Sequence, residues 1–393
     1  MMREYVCEEC VVDSELRQVV RDNLVSESCD YCKKTSALPI ACHLDDVIER
    51  IRFAIDQEYG SPDEETMYDP EEGDYYGNIL EHTELFWEFD FPIENEQLQD
   101  DIINCFSDER FCRKGMLSGS MSERQMDAWH GFKNIVKNQR RYTFWTMDDA
   151  DHGVYEHPPS QMIQNIANTI SELNIFKWLD VGQHFWRVRV DDKSKRYTKA
   201  RELAAPTCDQ AAYSNRMSPA GISMFYCADE FDTAVRETLE QDRANGKLLN
   251  GCVFKNKRPL VVLDLLSLKP YKFFSSLNED ERESIAFLSA FQTDISAPIK
   301  KDEINHIEYV PTQVFTEYVR YELKTATGEA LDGIRFRSSK DGKGCYVLFC
   351  DQDDCLSDVE LRRREQQLEF DHTSLRHVDA VSWIRQHSEI KSK

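Results

Sequence analysis

Four cysteines open the chain in a pattern that can do chemistry: Cys7, Cys10, Cys29 and Cys32 form C-x2-C-x18-C-x2-C. Each C-x2-C pair presents two thiolates from one tight turn, and two such turns complete a tetrahedral all-sulfur site suited to Zn²⁺. Four thiolates leave no open coordination position, so the expected site is structural rather than catalytic. In so small a module the metal's binding free energy, about 10–16 kcal/mol, is comparable to the folding free energy itself. The chain has thirteen cysteines in all, an odd number, with no secretion signal, which argues for reduced thiols over a disulfide framework. Cys208, Cys227, Cys252, Cys345 and Cys350 read as small core residues.

A second set of residues lies in the C-terminal half. It begins at Phe185-Trp186-Arg187-Val188-Arg189 and continues through the stretch from Tyr213 to Tyr226, which contains Asn215-Arg216-Met217-Ser218-Pro219-Ala220-Gly221. Ala234-Val235-Arg236-Glu237-Thr238-Leu239 follows, then Asp332-Gly333-Ile334-Arg335-Phe336-Arg337-Ser338-Ser339 and Tyr346-Val347-Leu348-Phe349. In this order, from His184 to Cys350, the segments resemble the RES family, named for an Arg, a Glu and a Ser. That resemblance implies an ADP-ribosyltransferase-like mixed α/β fold and an enzyme that degrades NAD⁺ or transfers ADP-ribose. It implies a toxin activity restrained by a partner, as in toxin–antitoxin or anti-phage systems. Carried residue by residue, it points to Arg187 on the first strand, Arg216 before the small-residue turn, Tyr226 ending the next strand, Glu237 on the following helix and Ser338 on a late strand.

The chemistry of these residue types agrees with such roles. NAD⁺ carries a pyrophosphate, and an arginine offers a planar, permanently charged fork of donors, so Arg187 and Arg216 are the expected phosphate-facing pair. Breaking the nicotinamide–ribose bond builds an oxocarbenium-like cation, and a carboxylate beside it, here Glu237, stabilises it and can orient a water. Tyr226 and Ser338 are expected to contact the nicotinamide, its amide or the ribose. The acceptor stays open: water (a glycohydrolase), phosphate (a phosphorylase) or a protein side chain (an ADP-ribosyltransferase). Arg189, two residues from Arg187, shares its sheet face. Asn215 and Phe336-Arg337 stand where the family commonly has Gly and Tyr-Pro.

The first half, with its Cys-x-x-Cys opening, helical middle and the Phe132-to-Phe144 segment, resembles the HEPN-like region fused to RES domains. HEPN ribonucleases use an R-x4–6-H motif, and Arg124 to His130 fits that spacing. The region is acidic, however: from Phe53 to Glu109 there are 19 Asp plus Glu and no Lys or Arg. Neutralising nucleic-acid phosphates takes Lys and Arg, so a helical packing or regulatory domain is the better reading, and a ribonuclease or a non-catalytic interaction module the alternative. Trp129, Trp145, Phe132 and Phe144 are expected in the core.

The elements that must position these groups follow from pattern. Asp13 to Val20 reads as a short capped helix, and Val47, Ile48, Ile51, Ala54 and Ile55 give a helix over Leu44 to Tyr59. Gly60 to Gly77 reads as a loop or lid, and Leu85 to Phe91 as a strand or buried turn. Ser122 with Gln125 reads as a capping box, and a further helix is expected from Ser160 to Phe176. After Gly182 the texture changes to mixed elements. Strands are expected at His184–Val190, Ile222–Cys227, Leu260–Leu263, Ile334–Ser338 and Cys345–Phe349, and helices at Glu230–Asn245, Asn278–Phe291 and Val314–Leu323. The class is α+β, divided into a zinc-binding module (1–43), a helical HEPN-like domain (44–180), a RES domain (184–356) and a charged C-terminal tail (357–393).

Neither a G-x-G-x-x-G after a strand nor a Walker A loop is present, so NAD⁺ is expected as a substrate, without the Rossmann device. The net charge of −24 belongs to the first half, since His184 to Cys350 holds 25 Lys plus Arg against 24 Asp plus Glu. The absence of a long apolar run and of a signal-like N-terminus implies a cytoplasmic protein with no membrane partner. The expected partners are NAD⁺, an antitoxin or inhibitor, and a second copy of the chain. The acidic half could itself cover the pocket.

Overall fold

The structure, a computed structural model, describes residues 4–89, 91–147, 158–297, 305–356 and 366–388. It divides into two compact units: Met1–Arg124 with Lys269–Phe287, and Gln125–Leu268 with Leu288–Lys393.

The N-terminal unit starts with strand β1 (Tyr5–Cys7), helix α1 (Ser14–Asp22), strand β2 (Ala41–His43) and helix α2 (Leu44–Glu58). β1 and β2 pair antiparallel, Val6 opposite Cys42. Asp13 caps α1, its carboxylate accepting from the Glu15 and Leu16 amides at 2.7 and 3.1 Å, which offsets donors that a helix start leaves orphaned. α2 turns Val47, Ile51, Ala54 and Ile55 into the core, as its periodicity dictates. The first part of the Leu85–Phe91 run, expected as a strand or buried turn, is instead helix α3 (His82–Glu88); Phe89 turns out of it and Phe91 is buried. A capping box between Glu81 and Glu84 starts it, and Leu85 and Phe86 supply its buried side. α4 (Glu96–Asn104) follows. Gly60 to Gly77, expected as a loop or lid, contains a short helix (Pro62–Glu65) and a hairpin pairing Tyr68 with Tyr75.

Residues 269–287 join this unit because Arg282, only 2% exposed, donates to Glu58 at 2.8 Å and to the Phe273 and Leu277 carbonyls. Phe274 is buried in the same core.

The second unit is built on an eight-stranded sheet. In chain order it contains α5 (Met121–Asn138, which begins in the first unit), α6 (Pro159–Glu172), β3 (Phe176–Leu179), β4 (His184–Asp192), β5 (Phe225–Ala228) and α7 (Phe231–Thr238). Then come β6 (Lys247–Asn256), β7 (Leu260–Asp264), α8 (Glu279–Ser296, which also begins in the first unit), α9 (Val310–Tyr321), β8 (Gly333–Arg337), β9 (Gly344–Leu348), β10 (Leu368–Asp379) and α10 (Ala380–Ser388). The strand order is β10-β6-β4-β5-β9-β8-β7-β3, antiparallel except for the parallel pair β7–β8. The molecule is therefore α+β.

Alternation sends Phe185, Phe225, Cys227, Phe254 and Tyr346 to one face of the sheet. Val188, Ala228, Phe231, Val235, Cys345 and Trp383 pack on the other, beneath α7 and α10. The site is thus held between a sheet and the helix α7.

Three further expectations are corrected. The residues placed in a charged tail form β10, which pairs along β6, and α10; Ser374 Oγ accepts from the Val253 amide at 2.8 Å where the register shifts. Only 357–365 and 389–393 of that tail lie outside the described residues. The capping box of α5 lies two residues earlier than expected: Ser120 accepts from the Glu123 amide, and Glu123 accepts from the Ser120 amide. Finally α7 stops at Thr238 rather than near Asn245, and Asn245-Gly246, with Gly246 at φ +74°, turns the chain into β6, a strand the helical expectation ran up to without naming. Trp129, Phe132 and Phe144 do pack as core, on Phe291 among others, whereas Trp145 is 58% exposed.

Candidate active site and metal centre

Glu237 stands in the last turn of α7, and Ser338 follows β8 at the start of its hairpin to β9. Ser338 Oγ donates to Glu237 Oε1 at 2.5 Å, and the same Oγ accepts from the Lys340 amide at 3.1 Å. Ser338 is 2% exposed while Glu237 is exposed, so a buried hydroxyl holds one oxygen of a carboxylate on an exposed residue.

The hairpin is fastened to α7 at three points. Glu237 takes Ser338, Thr233 Oγ1 donates to Asp341 Oδ2 at 2.9 Å with Arg236 Nε 3.6 Å from the same carboxylate, and Glu230 pairs with Lys343. Residues 230, 233 and 237 recur at three- and four-residue spacing, so one face of the helix carries all three contacts. Gly342, at φ +75°, allows the tight turn between them.

Tyr226, on β5, points to the same side as Glu237 by alternation with Phe225 and Cys227. Its hydroxyl shares a 2.9 Å hydrogen bond with Ser218 Oγ. Burial pushes the phenol up to about 12, so it is a neutral donor across the physiological range. Arg216 lies in the same neighbourhood. Burial pulls its guanidinium below the usual range, and the nearby Tyr309, Glu237 and Tyr226 oppose that pull. Arg216 is not free in solvent, because its guanidinium donates to the Ile295 and Ala297 carbonyls at the C-terminal end of α8.

Arg187 is placed differently. By alternation with Phe185 it leaves β4 on the face opposite α7, over the Phe225 ring at 5.1 Å. β4 and β5 pair at Trp186–Ala228, and beyond that pair the Tyr226 carbonyl takes a side-chain donor. Arg187 supplies that donor, and a second N–H reaches the Leu203 carbonyl at 3.3 Å. Burial pulls the guanidinium down to about 10, and the neighbouring Arg189 adds to that. Arg189 donates to the Ala204 carbonyl at 2.6 Å. The structure therefore brings Glu237, Ser338, Tyr226 and Arg216 to one side, with Arg187 behind the strand that carries Tyr226.

Ser218 and Asp341 were missed as contributors by sequence reasoning. Ser218 had a signal, since it lies in the small-residue turn after Arg216. Asp341 had none, because only the hairpin brings it against α7.

The cysteine cluster is compact: the Sγ atoms of Cys7, Cys10, Cys29 and Cys32 all lie within 4.8 Å of one another. The Cys7–Cys10, Cys7–Cys32 and Cys10–Cys29 separations are 3.8, 3.5 and 3.7 Å. A tetrahedron with metal–sulfur bonds of about 2.3 Å has edges of about 3.8 Å, so the donor set fits one ion. Burial, reinforced by the neighbouring thiols, pushes Cys7 up to about 11, and a bound cation is what would let the group ionise together. Arg124 and His130 stand six residues apart on α5. His130 lies 3.9 Å from Asp294, which also accepts from Trp129 Nε1 and Lys133 Nζ at 2.8 and 2.7 Å.

No described helix is long and apolar enough to cross a membrane. Comparison with curated proteins and with solved structures returns no match. Two family matches cover most of the chain: HEPN/RES N-terminal domain 1 over residues 22–150, and the RES domain over residues 184–371. The second match runs past Cys350 into β10, in keeping with the place of that strand in the sheet. Glu237 and Ser338, joined by one hydrogen bond, both fall inside it, and the chain carries a RES domain with a HEPN/RES N-terminal domain ahead of it.

Proposed function

We propose that the RES domain cleaves the nicotinamide–ribose N-glycosidic bond of NAD⁺, in the manner of an NAD⁺ glycohydrolase acting as a toxin. The observation that carries the reading is the Glu237–Ser338 bond at 2.5 Å, which fixes an exposed carboxylate in the last turn of α7. As the C1′–N bond breaks, its electron pair leaves with nicotinamide and positive charge grows on the ribosyl carbon. A carboxylate fixed beside that carbon lowers the barrier, because it needs no reorganisation when charge appears. Water adds to C1′, loses a proton, and ADP-ribose is released.

In this reading Ser338 holds one oxygen of Glu237 and leaves Oε2 to face the cation or a ribose hydroxyl. The neutral Tyr226 phenol donates to substrate. Arg216 contributes charge to the pyrophosphate side with the donors its carbonyl partners do not use. Arg187 fixes the strand that bears Tyr226 from the opposite face of the sheet. An ADP-ribosyltransferase-like arrangement is consistent with the mixed sheet, and the acidic N-terminal half or a separate antitoxin would restrain the activity.

The four-cysteine cluster is proposed to hold a structural Zn²⁺. Its sulfur spacing supports this, and a tetrathiolate set favours zinc over harder cations.

The test is to incubate purified protein with NAD⁺ and follow free nicotinamide and ADP-ribose. Glu237→Gln is expected to lower turnover about 10²-fold or more, with the melting temperature kept. Turnover unchanged in that variant refutes the assignment. Label retained on protein in place of free ADP-ribose would make the acceptor a side chain.

A further inference from the structure

The turn that carries Arg216 has two sides. One holds Ser218 against Tyr226; the other, through Ser214, Pro219 and Ala220, forms a wall of a cavity of about 910 Å³. That volume lies in the range of small-molecule and cofactor sites. Phe144, Ile163 and Val310 line it and are buried. Rings of Trp145, Tyr318 and Tyr321 also line it, and Trp145 and Tyr321 are 58% and 62% exposed. Large rings left in water beside a cavity are stacking surfaces for a planar group.

Three polar groups define what else the ligand carries. Gln313, 8% exposed, donates from Nε2 to the Asn215 and Ser218 carbonyls at 2.8 and 3.3 Å. Both amide hydrogens are then committed to the Arg216 turn. Its orientation is thereby fixed, and Oε1, an acceptor only, is what it can offer a ligand. Glu317 and Glu322 are exposed on the cavity rim. Carboxylates accept from a ribose diol and repel a phosphate placed on it. A flat ring with an amino donor, attached to a ribose with free hydroxyls, satisfies all of these groups, and adenosine is such a ligand.

We propose that this cavity receives the adenosine half of the dinucleotide, and that Glu317 and Glu322 favour a free 2′-hydroxyl over a 2′-phosphate. The assignment rests on the reading of NAD⁺ as substrate. The path between the two half-sites runs past a single turn, since Gln313 bonds to Ser218, which bonds to Tyr226.

Two measurements test it. In the first, ADP-ribose is titrated into the full chain by calorimetry, without turnover. Trp145→Ala, a change at an exposed ring, is expected to weaken binding about tenfold, as loss of one base–aromatic stack does. Ring fluorescence should be quenched in the parent protein alone. In the second, KM is measured for NAD⁺, NADP⁺ and nicotinamide mononucleotide. Trp145→Ala should raise KM for NAD⁺ and not for the mononucleotide, which lacks adenosine. The Glu317→Gln/Glu322→Gln double variant should narrow the preference for NAD⁺ over NADP⁺. Absent ADP-ribose binding, or binding equal in Trp145→Ala, overturns the subsite and leaves the exposed rings to a protein contact. Trp145-dependent ADP-ribose binding with no nicotinamide release instead overturns the proposed reaction and leaves the subsite standing.

Discussion

Ser338→Ala is the most direct probe of the geometry. The substitution removes one hydroxyl from a position that is 2% exposed, and with it the 2.5 Å bond to Glu237 and the acceptor for the Lys340 amide. A hydrogen bond to a charged group contributes about 1.5–3 kcal/mol. If the bond serves to hold the carboxylate in the orientation the transition state needs, that energy appears in kcat. At about 1.36 kcal/mol per tenfold, the expected loss is roughly 10- to 150-fold. KM should change little, since Ser338 acts on Glu237 rather than on the bulk of the substrate. The assay is steady-state release of nicotinamide, with a thermal melt run alongside. Ser338→Thr, which keeps the hydroxyl, should restore most of the rate. A Ser338→Ala enzyme within twofold of the parent in kcat would refute the claim that this bond orients the carboxylate.

Other perturbations give equally definite expectations. Asp341→Ala leaves the fully buried Thr233 hydroxyl without its acceptor and should cost about 1–3 kcal/mol, read as a lower urea midpoint of the RES domain. Cys29→Ser should lower zinc content and loosen the N-terminal unit, measured by elemental analysis and limited proteolysis; stoichiometric iron, or no metal, in the parent protein would contradict zinc. The Asp371 carboxyl is held down to about 2 by Lys255 and Thr373. Because its folded value lies below that of the unfolded chain, its contribution is complete above about pH 4 and is lost as pH falls toward 2. Protection of the β6–β10 amides in hydrogen exchange should therefore decline across that window, and constant protection down to pH 2 would refute it.

Much of this architecture was legible in the chain because short-range pattern decides it. Asp13 and the periodicity of Val47, Ile51 and Ile55 fix their helices without tertiary help. The cysteine spacing places four sulfurs on two turns, and the ordered segments around Arg187, Arg216, Tyr226, Glu237 and Ser338 identify the RES domain. What was not legible depends on distant partners. The Leu85–Phe91 run is rich in aromatic residues at strand-like density, yet the Glu81–Glu84 capping box makes its start helical. β10 is punctuated by charge and lacks clean alternation, and it exists because β6 offers it an edge. The Arg187 side chain could not be assigned from type alone, since its bond to the Tyr226 carbonyl depends on β4 and β5 being neighbours in the sheet.

The late position of β10 has a consequence for biosynthesis. Val253 and Ser374, bonded across the β6–β10 pair, are 121 residues apart in sequence. α10 follows directly, and its Trp383 donates to Asp232 at the head of the helix that bears Glu237. On a ribosome, the strand edge at β6 and one flank of α7 remain bare until residues 368–388 have emerged. Pairings of such long range form late in folding. A chain in which α10 has yet to emerge therefore lacks the Trp383–Asp232 support of the helix that bears Glu237.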